Sequence, residues 1–178
     1  MKNNVNILLI LAVALMVGSC RSSRNVVWLK TAIERSNSQL LAAADTYKDS
    51  LKNPRTFEDG VVKLVKPRDW TSGFFPGSLW LQYEFTHNET LKNAAQHYTE
   101  LLDTMQYYKG THDLGFILNC SYGNGYRITA ESSYKNVMFN GAASLMARYK
   151  PQMGVIRSWD ANKEVWQYPV IIDNMMNL

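Results

Sequence analysis

The chain has 178 residues, 46% hydrophobic and 12% aromatic, with a formal charge of +4, five Trp, ten Tyr and two Cys. Two cysteines exclude a disulfide framework, and the Lys and Arg residues are scattered rather than interleaved with aromatics along one face, which gives nucleic-acid binding little support. Aromatic content of this order suits sugar stacking or a large helical core, and composition alone does not choose between them.

The N-terminus sets the compartment. Lys2 precedes an apolar stretch from Val5 to Val17, too short for a membrane span of roughly 20 residues but suited to a signal peptide. Val17-Gly18-Ser19-Cys20 then offers a branched residue, two small residues and a thiol, the pattern that lipoprotein signal peptidase accepts. Residues 1–19 read as a lipoprotein signal peptide, Cys20 as the lipidated mature N-terminus, and residues 20–24 as a solvated tether. A cysteine carrying two or more acyl chains anchors firmly, so the expected location is the cell envelope, on its periplasmic or outer-surface side. Residues 25–178 form the domain, with Cys120 left as a free thiol.

Apolar residues recur at helical spacing from about Asn25 to Leu51, through Trp28, Ile33, Leu40, Leu41 and Ala44, until Asn53-Pro54 breaks the pattern. A loop of about 20 residues is expected next, ending in Asp69-Trp70-Thr71-Ser72-Gly73-Phe74-Phe75-Pro76-Gly77. A second helix is predicted over about Gly77–Phe85, and Thr86-His87-Asn88 turns the chain, with Asn88 as the next N-cap. The third helix is the most periodic, with Leu91, Ala94, Ala95, Tyr98, Leu101, Leu102 and Met105 on one face. The pattern then breaks, and Gly123-Asn124-Gly125 reads as a turn. A fourth helix is expected over about Thr129–Tyr149, with Val137, Ala142, Leu145, Met146 and Tyr149 as core. A short strand from Gly154 to Trp159 and a fifth helix opening at Pro169 complete an all-α architecture of antiparallel hairpins.

Three clusters carry candidate chemistry: Trp70 with its neighbours, Thr111-His112-Asp113-Leu114-Gly115-Phe116, and Asp173 among Ile171, Ile172, Met175 and Met176. Alternate connections of helical hairpins lie at one end of a barrel, so the clusters can share a pocket. A carboxyl in apolar company either finds partners or keeps its proton, and a kept proton is what a general acid needs. The bland reading makes Asp173 a helix cap or a surface carboxylate near a helix start, although a helix opening at Pro169 would put it beyond the capping turn. His112 and Asp113 are adjacent in sequence and need not face each other, and no further His or Cys stands at metal-ligand spacing. Trp70 and Trp159 suit either sugar stacking or core packing.

The runs DWTSGFFPGSLW (69–80) and THDLGF (111–116), the Tyr122-Gly-Asn-Gly-Tyr126 turn and WQYPVIIDNMMNL (166–178) together resemble the unsaturated glucuronyl hydrolases of glycoside hydrolase family 88. The resemblance implies a partial (α/α)6 toroid and an unsaturated uronic-acid oligosaccharide as substrate. It further implies removal of the terminal 4,5-unsaturated glucuronic acid by hydration of its vinyl ether. It makes Asp173 the general acid and base and Asp113 its assistant. Trp70, His112 and, less directly, Trp159 become substrate contacts, and no metal or other cofactor is implied. A whole toroid needs more helices than this chain supplies, so it is expected to be inactive alone, and a second polypeptide completing the ring stays open. The alternatives are an unsaturated rhamnogalacturonyl hydrolase and a non-catalytic, lipid-anchored sugar-binding fragment.

Overall fold

A computed structural model describes residues 25–178. The stretches expected to be a signal peptide and a tether, with Cys20, lie outside the described residues. The chain divides into two compact units between Arg35 and Ser36, within the first helix, α1 (Asn25–Thr46). In the first unit Trp28, part of the apolar helical period, is 63% exposed, and Lys30 pairs with Glu34 one turn on. All further description concerns the second unit, Ser36–Leu178. No described helix is long and apolar enough to cross a membrane.

Where a long loop was expected, a β-hairpin forms: β1 (Asn53–Glu58) pairs antiparallel with β2 (Val61–Val65). Asp59 and Gly60, both at positive φ (52° and 78°), make its two-residue turn. Asp-Gly is the pair that such a turn favours, because its twist matches that of the strands. Asn53, fully buried at the foot of β1, donates from Nδ2 to the Ser72 carbonyl (2.7 Å), fastening the hairpin to the Trp70 loop.

Helix α2 (Phe74–Thr86) begins earlier than its sequence suggests, because Pro76 falls in the first turn, where an N–H has no helical acceptor. His87 ends α2 in the left-handed conformation, and the Asn88 side chain caps α3 (Glu89–Glu100) by accepting from Thr90 N (2.9 Å). The predicted face of α3 is borne out: Leu91, Ala95, Tyr98, Leu102 and Met105 are all buried, with Leu102 just before a 3-10 turn at Asp103–Tyr107 and Met105 within it. The Trp80 indole, wholly buried on α2, donates to Thr99 Oγ (3.0 Å). The Tyr98 hydroxyl donates to the Ala44 carbonyl (3.0 Å), which docks α1 on α3. Burial, then the nearby Asp45 and Asp49, push that phenol up to about 12.

The next stretch corrects the sequence reading. Residues 114–129 are a broken helix: α4 (Leu114–Leu118), a π-turn (Asn119–Gly123) and α5 (Asn124–Thr129). Gly123-Asn124-Gly125 is therefore helical, and packing explains Gly125, since a Cβ there would come within 2.7 Å of the Tyr134 ring. Helix α6 (Ser132–Met146) starts after left-handed Ala130 and is capped by Glu131. Val137 and Leu145 are buried as expected, but Ala142, Met146 and Tyr149 are exposed. Met146 and Ala142 line an open apolar groove with Leu118 and Met176.

Only Val155–Ile156 (β4) of the expected strand pairs, with Tyr149–Lys150 (β3). No helix opens at Pro169. That residue is buried in extended chain, its carbonyl taken by Ser158 N (2.8 Å), and a 3-10 turn forms only at Ile172–Met176. The result is mostly helical, built of hairpins such as α2–α3, and forms part of an (α/α)6 toroid.

Candidate active site

Glycines bring the three candidate clusters together. A Cβ on Gly73 would lie 2.7 Å from the Phe116 carbonyl oxygen, so only glycine lets the 69–75 turn pass against α4. Gly115 does the same for the last turn, where a Cβ would strike the Asn177 backbone. Asn177 fastens this contact, accepting from Phe116 N (2.9 Å) and donating to the Asp173 carbonyl (3.2 Å).

At that junction His112 Nε2 stands 3.0 Å from Asp113 Oδ1 and 3.3 Å from Asp173 Oδ2. The pair that adjacency in sequence left open is thus a triad, spanning 61 positions of chain. The local cause is the turn before α4: Thr111 Oγ donates to Asp113 Oδ2 and accepts from Asp113 N (3.1 Å), folding the carboxylate back toward the ring. The two carboxyls differ in freedom. Asp113 is engaged at both oxygens, whereas Asp173 meets only the imidazole, with its other oxygen unbonded among the described residues and its side chain 34% exposed.

The expected apolar shield around Asp173 is absent. Ile172 is 87% exposed, and Met175 and Met176 are exposed too, because a short 3-10 turn entered from extended chain buries one face only, here that of Asn174 and Asn177. What lies against Asp173 is the histidine. Nor is Asp173 beyond a capping turn, since it sits in the first turn of its short helix.

His112 is 6% exposed, held through its backbone N–H to the Ser158 carbonyl (3.2 Å) and through Nδ1 to Asn174 Oδ1. Ionised carboxylates only accept hydrogen bonds, so Nε2 facing two of them requires a hydrogen within the group, on the ring or on a carboxyl. The donor atoms of the three side chains lie within 4.8 Å of one another, a set that could also hold a cation. Proton and cation would then compete for the same place. Ser158, Asn174 and Asn177 escaped sequence reasoning. The one available signal was amides flanking Asp173 in an otherwise apolar run.

Trp70, 46% exposed, stands edge-on to Phe74 (5.7 Å between centroids) and tilted to Phe116 (6.0 Å), and so belongs to an open aromatic wall beside α4. Trp159 is half-buried between Ser158 and Asp160, and no ring or hydrogen-bond contact ties it to the triad among the described residues. Asp160 accepts a hydrogen bond from Arg148 (2.8 Å) and forms an ion pair with Arg157 (2.5 Å). Burial opposes ionisation of its carboxyl, but the Arg148 hydrogen bond and both guanidinium charges outweigh it and hold the group below the usual carboxylate range. Burial pushes the free Cys120 thiol up.

No family model matches the chain. An unsaturated glucuronyl hydrolase of Formosa agariphila is 48% identical over 119 residues, 66% of this chain and 30% of that protein. An unsaturated chondroitin disaccharide hydrolase of Streptococcus pneumoniae is 31% identical over 83% of this chain and 38% of its own length. A crystal structure of an unsaturated glucuronyl hydrolase specific for heparin superposes with a TM-score of 0.79 at 52% identity, over 84% of this chain and 40% of that one. The chain thus spans well under half the length of each. In sequence and in fold, it belongs to the unsaturated glucuronyl hydrolases of glycoside hydrolase family 88.

Proposed function

We propose that the triad serves a glycoside hydrolase acting on 4,5-unsaturated glucuronic acid at the end of lyase-generated oligosaccharides, with Asp173 as the catalytic acid and base. The observation that carries this is the asymmetry of the carboxyls: Asp113 is held at both oxygens, while Asp173 keeps one oxygen unbonded among the described residues on a partly exposed side chain. Asp173 transfers its proton to C4 of the vinyl ether, and the positive charge develops at C5. Water adds at C5 and returns its proton to the Asp173 carboxylate. The resulting C5 hemiketal opens by breaking its bond to the ring oxygen, and the hemiacetal left at C1 expels the next sugar. Asp113, across the imidazole, keeps the hydrogen shared within the group as Asp173 cycles.

Trp70, braced by Phe74 and Phe116, supplies an apolar face for the uronate ring. Trp159 and His112 complete the proposed substrate contacts, His112 through the carboxyls it bridges. The relatives' names favour uronates linked to an amino sugar, as in heparin or chondroitin fragments. The apolar residues around the last turn, among them Ile172, Met175 and Leu178, are exposed and call for further helices against them, from more of the same fold or from a second polypeptide. We read Cys20 as the lipid anchor that holds the enzyme in the cell envelope.

The test places residues 25–178 in a chimera with the remaining length of the Formosa agariphila relative and follows loss of the double bond's ultraviolet absorbance on unsaturated heparin and chondroitin disaccharides. Turnover is expected, and Asp173→Asn should lower it by about 10²–10⁴-fold. A folded chimera that keeps its rate after that substitution sinks the assignment. Turnover only on a rhamnose-linked uronate would move the substrate to rhamnogalacturonan fragments. Incorporation of labelled fatty acid, lost in Cys20→Ala, tests the anchor.

A further inference from the structure

We propose that Asn174 is a positioning residue that fixes the tautomer of His112, so that Nε2 is the one ring atom able to take up and return the hydrogen shared with Asp113 and Asp173. The orientation of the Asn174 amide follows from its partners. Its Nδ2 lies 2.5 Å from the Ile156 carbonyl, which can only accept, so Oδ1 is the atom turned toward His112 and Ser158. Ser158 Oγ accepts from Ile171 N (3.1 Å) and, because an amide oxygen only accepts, gives its own hydrogen to Asn174 Oδ1 (2.9 Å). With Oδ1 an acceptor on both sides, His112 Nδ1 must carry a hydrogen. His112, Ser158 and Asn174 are 6%, 1% and 8% exposed, so water offers no substitute partner, and turning the amide would leave several buried groups unpaired.

The consequence is chemical. A neutral ring with hydrogen on Nδ1 presents a lone pair at Nε2 to both carboxyls, and can accept a proton there and hand it back. The opposite tautomer would commit its Nε2 hydrogen to a carboxylate and leave its basic nitrogen facing the Asn174 oxygen, away from the reaction. Asn174 is the residue after Asp173 in the same 3-10 turn, so one turn places both the reacting carboxyl and the group that aims the ring. Asn174 makes no hydrogen bond to either carboxylate side chain among the described residues, and so acts through His112. The catalytic meaning rests on the function proposed for Asp113 and Asp173, but the tautomer does not.

The experiment is ¹⁵N spectroscopy of the histidine rings in the full chain, with chelator present to keep metal off Nε2. The chain has three His. Substituting exposed His87 or His97 by Gln assigns the remaining signals without touching the triad. Wild-type His112 is expected to show a slowly exchanging hydrogen on Nδ1. Asn174→Leu should shift the ring toward the Nε2–H tautomer, and Asn174→Asp, which keeps an acceptor oxygen, should restore Nδ1–H. If the leucine variant does not fold, Asn174→Ser is smaller, keeps polarity and carries the same expectation. A wild-type His112 with bare Nδ1, or an unchanged Nδ1–H signal in a folded leucine or serine variant, overturns the proposal. If instead the tautomer behaves as stated while the Asp173→Asn chimera stays active, the positioning claim stands and the proposed reaction falls.

Discussion

In the α2–α3 hairpin, Leu79, Trp80, Leu91, Ala95 and Tyr98 lose almost all contact with water. Around Asp173 the buried side chains are instead His112, Ser158, Asn174 and Asn177, while its apolar neighbours face outward. The hairpin is held by area removed from water, a term that tolerates small displacements. The junction is held by directed hydrogen bonds between segments 111–116, 156–158 and 169–177, where each lost partner leaves a buried group unsatisfied. Non-directional packing thus supplies the scaffold, and polar groups with defined geometry aim the carboxyls.

That contrast can be broken from either side. The largest effect is expected for Trp80→Ala, which empties the hairpin core and leaves Thr99 without its donor; the loss should be about 3–5 kcal/mol, read by denaturant titration, with amide protection falling throughout the Ser36–Leu178 unit. Gly115→Ala should cost about 1–3 kcal/mol through overpacking against Asn177, and hydrogen exchange should show loosening confined to 111–116 and 171–177 while α2 and α3 stay protected. Uniform loss of protection in that variant would mean the junction is part of the same cooperative core. Asn88→Ala removes the cap of α3 and should cost about 1 kcal/mol, localised to the first turn of that helix.

The smallest effect concerns the polar side at low pH. The Asp160 carboxyl is held below its usual range, so its contribution is present above the unfolded-state value and lost as pH falls through the folded one. Asp160→Asn should therefore flatten the acid limb of the stability–pH curve and leave the slope near neutrality unchanged, which acid titration followed by circular dichroism would check.

The hairpin was legible because a long 3.6-residue period and a capping Asn leave few alternatives: Asn88 and the α3 face stand where the spacing put them. The β1–β2 hairpin carried an Asp-Gly signal but sits beside a proline and a charged, half-exposed run, so its alternation was masked. The helical path of 114–129 was hidden because its glycines answer a packing need, at Tyr134 and at Asn177, which no local rule contains. For the site, His112, Asp113 and Asp173 could be named as candidates from residue type. Trp159 has no tie to them in the fold, and Ser158, Asn174 and Asn177 drew no attention.

By itself the sequence determined the helical class, the α2–α3 scaffold and the motif set that marks the family, since periodicity, capping and residue type are properties of near neighbours along the chain. Tertiary structure alone decided that one imidazole bridges two carboxyls, that Asp173 keeps the freer oxygen, and that amides rather than apolar side chains surround it. Those facts depend on hydrogen-bond geometry between segments some 60 positions apart, and no local pattern encodes the direction in which a buried side chain finds its partner.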